Sequence, residues 1–133
     1  MAKPDIYIAD TGDRGRGVFT RKKIKAGDIV ESAPVIVMSH EDRLHIDQTI
    51  LQNYIFEWQP EGQNMCCMAL GTIPMYNHDY ESNCEYYMEY EEMTMFVQAV
   101  RDIEAGEELT VNYNGTWNDG SRVWFDAREE AEG

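Results

Sequence analysis

The chain has 133 residues, enough for one domain with a real core and too few for two ordinary ones. Its 25 acidic and 11 basic residues give a net charge of −14, which argues against nucleic acid as a partner, because little would neutralise phosphates, and suits a cationic one. Simple solubility explains the same charge equally well.

No apolar run approaches the roughly 20 residues of a membrane span, and MAKPDIYIAD lacks the apolar core of a signal peptide. The expectation is an intracellular, cytoplasmic protein without membrane contact, or a nuclear or chromatin-associated one if the source is eukaryotic or a virus. Cys66, Cys67 and Cys84 agree, since an odd count is a poor disulfide framework. His40, His45 and His78 do not share metal-ligand spacing, so no metal is expected.

In chain order, Ile6 to Ala9 reads as a first strand and Gly17 to Thr20 as a second, joined by a flexible loop from Asp10 to Gly15. Lys25-Ala26-Gly27-Asp28 turns into a run from Ile29 to Met38, in which Pro34 suggests an edge or a break. Ser39 has the chemistry of an N-cap, with Asp42 three positions on, and the spacing of Leu44, Ile46, Ile50 and Leu51 predicts a helix over Glu41 to Asn53. Tyr86 to Tyr90, a turn at Glu91-Glu92, and Thr94 to Val100 form a predicted hairpin. Ile103 to Glu107 repeats the turn grammar of Ile24 to Asp28, and Leu109 to Tyr113 enters a last strand. Ser121 to Gly133 reads as a short helix with an acidic, frayed tail. The fold class is mostly β with short helices, in one domain over 1–133.

Three stretches carry chemistry: Gly15-Arg16-Gly17-Val18-Phe19; Tyr76-Asn77-His78, followed five residues on by Asn83; and RDIEAGEELTVNY, Arg101 to Tyr113. Singly, each has a bland reading: a β-turn, a loop with local hydrogen bonds, a strand tyrosine with a wet hydroxyl. In this order they resemble the SET domain of protein lysine methyltransferases, over roughly Gly12 to Trp117, with 118–133 as a lid or tail. A Rossmann fingerprint is excluded, since no G-x-G-x-x-G occurs.

The resemblance implies small curved sheets around a C-terminal pseudoknot, and S-adenosylmethionine as cofactor. It implies that Gly15, Arg16, Gly17, Tyr76, Asn77 and His78 bind the cofactor and that Tyr113 is catalytic. The substrate it implies is a lysine side chain of a protein or peptide, which the acidic composition suggests is basic. Tyr54 and Tyr86 are candidates for the lysine channel, although adjacent Tyr87 exchanges with Tyr86 on a one-residue slip, and a plain core aromatic fits Tyr54 as well. The family's NHSxxPN becomes Asn77-His78-Asp79-Tyr80-Glu81-Ser82-Asn83, and no cysteine-rich zinc module follows Tyr113. A lid must then come from elsewhere: Trp117 first, by its nearness to Tyr113, with Trp124 and Phe125 as alternatives. A second subunit is another way to complete the channel, which makes a homodimer an expectation. A degenerate SET domain that binds without turning over is the competing reading.

Overall fold

The computed structural model describes residues 5–60 and 64–113; the expected C-terminal helix and Trp117 lie outside them. The strands are β1 (Ile6–Asp10), β2 (Arg16–Thr20), β3 (Ile29–Met38), β4 (Phe56–Trp58), β5 (Met65–Ala69), β6 (Asn77–His78), β7 (Cys84–Glu89), β8 (Thr94–Ala99) and β9 (Glu108–Val111). Among the described residues, one short helix, α1 (His40–Ile46), and two 3-10 turns, Ile50–Asn53 and Ile73–Met75, interrupt them. The expected class, mostly β with short helices, is the class observed.

Neighbouring strands run in the order β1-β2-β9-β7-β8-β3-β5-β4, with β6 added alongside β9. Alternation places the core: in β8, Met95, Val97 and Ala99 point inward while Thr94, Phe96 and Gln98 take the other face. Val18, Ile24, Val30, Ile73, Ile103 and Leu109 belong to the same buried cluster.

β3 is a single strand with two successive partners. Ile29 to Pro34 pairs with β8, and Val35 to Met38 with β5. Pro34 therefore sits at the handover rather than on an edge, where its carbonyl accepts from the Leu70 amide at 3.0 Å while its ring nitrogen donates no bond in return.

The predicted helix is shorter than its apolar spacing suggested. Ser39 and Asp42 form the expected reciprocal cap. After Ile46, however, Thr49 bonds its hydroxyl back to the Ile46 carbonyl at 2.8 Å and accepts the Leu51 amide at 3.2 Å. That local alternative ends the α-helix and starts a 3-10 turn. Leu44, Ile50 and Leu51 stay exposed, so no packing holds a longer helix together. The Asp10 to Gly15 loop, expected to be flexible, is bonded internally: the Thr11 amide and hydroxyl both reach the Gly15 carbonyl, at 2.8 and 2.9 Å.

β9 is the centre of the topology. It pairs antiparallel with β2 on one side and parallel with β6 and β7 on the other. His78 and Cys84, the two flanks of the intervening bend, both pair with Val111, so the bend closes around the last strand. Buried Asn83 stitches the closure: its Nδ2 donates to the Glu108 carbonyl and its Oδ1 accepts the Thr110 amide, both at 2.9 Å.

Candidate active site

A cleft of about 910 Å³ opens where β6, the end of β9, β7 and the 52–57 segment meet. Its wall includes Tyr54, Phe56, Tyr76, Asn77, His78, Tyr86 and Tyr113, with Arg14, Glu57 and Asp79 bringing charge. The chain thus brings together six residues expected at the site: Tyr54, Tyr76, Asn77, His78, Tyr86 and Tyr113.

Tyr113 is held at three points. Its amide donates to His78 Nδ1 at 3.0 Å, which assigns the ring proton to Nε2. Its carbonyl accepts from the Tyr86 hydroxyl at 3.3 Å, and its own hydroxyl donates to the Tyr76 carbonyl at 3.0 Å. Burial raises the pKa of the Tyr113 phenol above its ordinary value, with Tyr54 acting in the same direction and Arg14 opposing. Burial, then the charge of Glu57, pushes Tyr86 up to about 12. Both phenols therefore stay neutral across the physiological range and serve as dipoles, not bases.

The strand pleat separates the two adjacent tyrosines. Tyr86 faces the cleft and meets the Phe56 ring edge-on at 5.0 Å, whereas Tyr87 stacks on Phe96 across the opposite face. Tyr54 is half-buried in the wall, so it is a cleft residue and not a core one.

The glycine-rich segment divides its labour. Gly17 is buried in β2, where an added Cβ would overlap the Glu108 carboxylate and come within 2.8 Å of Asn77 Nδ2. That amide donates to the Arg16 carbonyl at 3.1 Å and to Glu108 at 2.8 Å, so the Asn77 side chain ties β6 to β2 and β9. Gly15 has φ +72° with nothing within 4 Å of the Cβ position, leaving its backbone open to approach. Arg16 is exposed on β2, and the cleft arginine is Arg14, which sequence reasoning missed. The turn at Gly15 directs Arg14 inward, where its guanidinium donates to the His78 carbonyl at 3.0 Å and pairs with Glu108.

Comparison with known proteins decides the kinship. The SET-domain family profile matches residues 15–114. The chain belongs to the SET-domain family. It is 32% identical over 127 residues to a Schizosaccharomyces pombe histone-lysine N-methyltransferase specific for H3 lysine-37, covering 95% of this chain and 80% of that protein. Among solved structures, a Plasmodium falciparum chain superposes with TM-score 0.66 at 26% identity, over 88% of this SET domain and 99% of its own length. The Neurospora histone lysine methyltransferase DIM-5 also gives 0.66, at 20% identity, over 89% of this chain and 55% of that one, a likeness of fold. Lysine methyltransfer is the activity that this kinship supports.

Proposed function

We propose that this SET domain is an S-adenosylmethionine-dependent protein-lysine N-methyltransferase. The observation that carries the reading is the position of Tyr113: a neutral phenol, fixed at amide, carbonyl and hydroxyl, on the wall of an aromatic cleft. The residues fit the cofactor. The cleft lies within the several-hundred-Å³ range of nucleotide-sized sites, and the Gly15 backbone is open beside Arg14 at its rim. Gly15, Arg14, Asn77 and His78 would hold the cofactor, and Trp117 remains part of the proposal as its cover.

When bound, the cofactor supplies a sulfonium-activated methyl group. The chain supplies position and environment. Tyr54, Phe56 and Tyr86 strip water from the incoming lysine, which disfavours its ammonium form and moves its pKa down from about 10.4. Because the Tyr113 hydroxyl spends its proton on the Tyr76 carbonyl, its oxygen lone pairs remain for positive charge developing in the cleft. Glu57 and Asp79 line the same cleft, so the favoured substrate is a lysine within a basic protein segment, met inside the cell. A homodimer that completes the channel is a corollary, checked by sedimentation.

The test is calorimetric titration of the purified protein with S-adenosylmethionine, followed by mass spectrometry of a lysine-rich peptide incubated with both. Saturable binding and a gain of one methyl mass are expected. Binding without transfer would establish the degenerate binder instead.

A further inference from the structure

Behind the cleft wall lies a carboxylate that the reaction does not touch. Glu31 on β3 is 1% exposed, yet it enters no ion pair among the described residues. Its oxygens accept the Thr72 amide at 2.7 Å, the Thr72 hydroxyl, and the Tyr76 hydroxyl at 3.0 Å. Burying a carboxylate without a cation is costly, and neutral donors offset only part of that cost. The position is also tightly fitted: Gly71 has φ +68°, and an added Cβ there would overlap the Glu31 carboxylate.

We propose that Glu31 is a positioning residue for the Tyr113 hydroxyl, acting through Tyr76. Thr72 opens the 3-10 turn Ile73–Met75 and Tyr76 closes it, so one carboxylate grips both ends of the turn. Fixing the Tyr76 ring fixes the residue whose carbonyl receives the Tyr113 hydroxyl at 3.0 Å. The link runs from β3, through the turn, to the last residue of the site, across sequence separations of 45 and 37 residues. Without this anchor the turn loses the tie between its two ends, and the Tyr76 carbonyl is held less closely in the direction that the phenol meets.

This inference rests on the methyl-transfer reading for its kinetic arm only. The variants are Tyr76→Phe, which removes a single hydroxyl, and Glu31→Gln, which keeps an acceptor but loses the charge. With tyrosine 13Cζ-labelled protein and no cofactor, both variants should move the Tyr113 resonance, identified by its loss in Tyr113→Phe. With cofactor and peptide, both should lower kcat about tenfold, the scale of one misdirected hydrogen bond, at unchanged KM. In a Tyr113→Phe background neither should cost anything more, an absence of additivity that general loosening would not produce. An unmoved Tyr113 resonance in folded Tyr76→Phe overturns the proposal, as do rate losses that multiply with Tyr113→Phe. If wild type transfers no methyl, the function fails while the resonance still decides the link. Should Glu31→Gln not fold, Tyr76→Phe decides alone.

Discussion

A phenol whose hydroxyl donates to a main-chain carbonyl has its direction chosen by the backbone, and Tyr113 is in that position. Tyr113→Phe keeps the ring and the two main-chain bonds, so the fold should persist. Methyl transfer should fall about a hundredfold or more, the scale for losing one preorganised dipole, while calorimetric cofactor affinity stays nearly constant. Equal rates for variant and wild type would remove Tyr113 from catalysis. Tyr86→Phe loses the bond to the Tyr113 carbonyl and opens space beside it. The first methylation should survive, and mass spectrometry should show added dimethyl product; a product spectrum identical to wild type would deny Tyr86 control over methylation number. At this scale the sequence was informative about residue type and weaker about direction. Tyr113, Asn77 and His78 were legible from motif order. Arg14 was not, because the Gly-x-Gly pattern draws attention to Arg16, and only the positive φ of Gly15 reveals which arginine turns inward. Glu31 was hidden for another reason: its partner Tyr76 lies 45 residues away, and nothing local marks a strand glutamate as buried.

Between elements, the repeated turns were the most faithful local signal. Gly27 and Gly106 take φ +89° and +88°, as their shared grammar requires. The echo has a spatial meaning as well, since Ile24 and Ile103 bridge each other through bonds of 2.9 and 2.8 Å. β4 and β5 escaped notice because Cys66 and Cys67 are both fully buried, so β5 shows no clean alternation, and β4 is three residues long. β6 is shorter still, two residues made a strand only by β9 beside it. Asn83 is where this topology is most vulnerable. Asn83→Ala strands the buried Thr110 amide and the Glu108 carbonyl, so urea denaturation should show a loss of about 3 kcal/mol. An unchanged midpoint would mean that the bend holds β9 without it.

For the whole molecule, charge and buried thiols make separate predictions. With a net charge of −14, association with a basic peptide should slow as salt rises, because screening shortens the field to about 8 Å at physiological ionic strength. Stopped-flow rates that ignore salt would remove steering from the account. Burial raises Cys67 and Cys84 from 9.0 to about 12, and Tyr86 from 10.0 to about 12. These groups stay neutral in the fold and ionise more readily once it opens, so stability is full below pH 9 and falls as pH climbs toward 12. Melting temperatures should decline from there upward, and Cys84→Ala should flatten that slope even though it lowers the neutral value; a parallel slope would place the alkaline sensitivity elsewhere. The closure of the 79–83 bend around β9 also gives the molecule a birth order. A ribosome delivers β2, β6 and β7 well before Glu108 to Val111, and until then those strands wait with open edges. The nascent chain cannot hold a working site early, because the strand that locks the knot leads directly into Tyr113. Closure of the fold and the placing of Tyr113 arrive together, in the same few residues of synthesis.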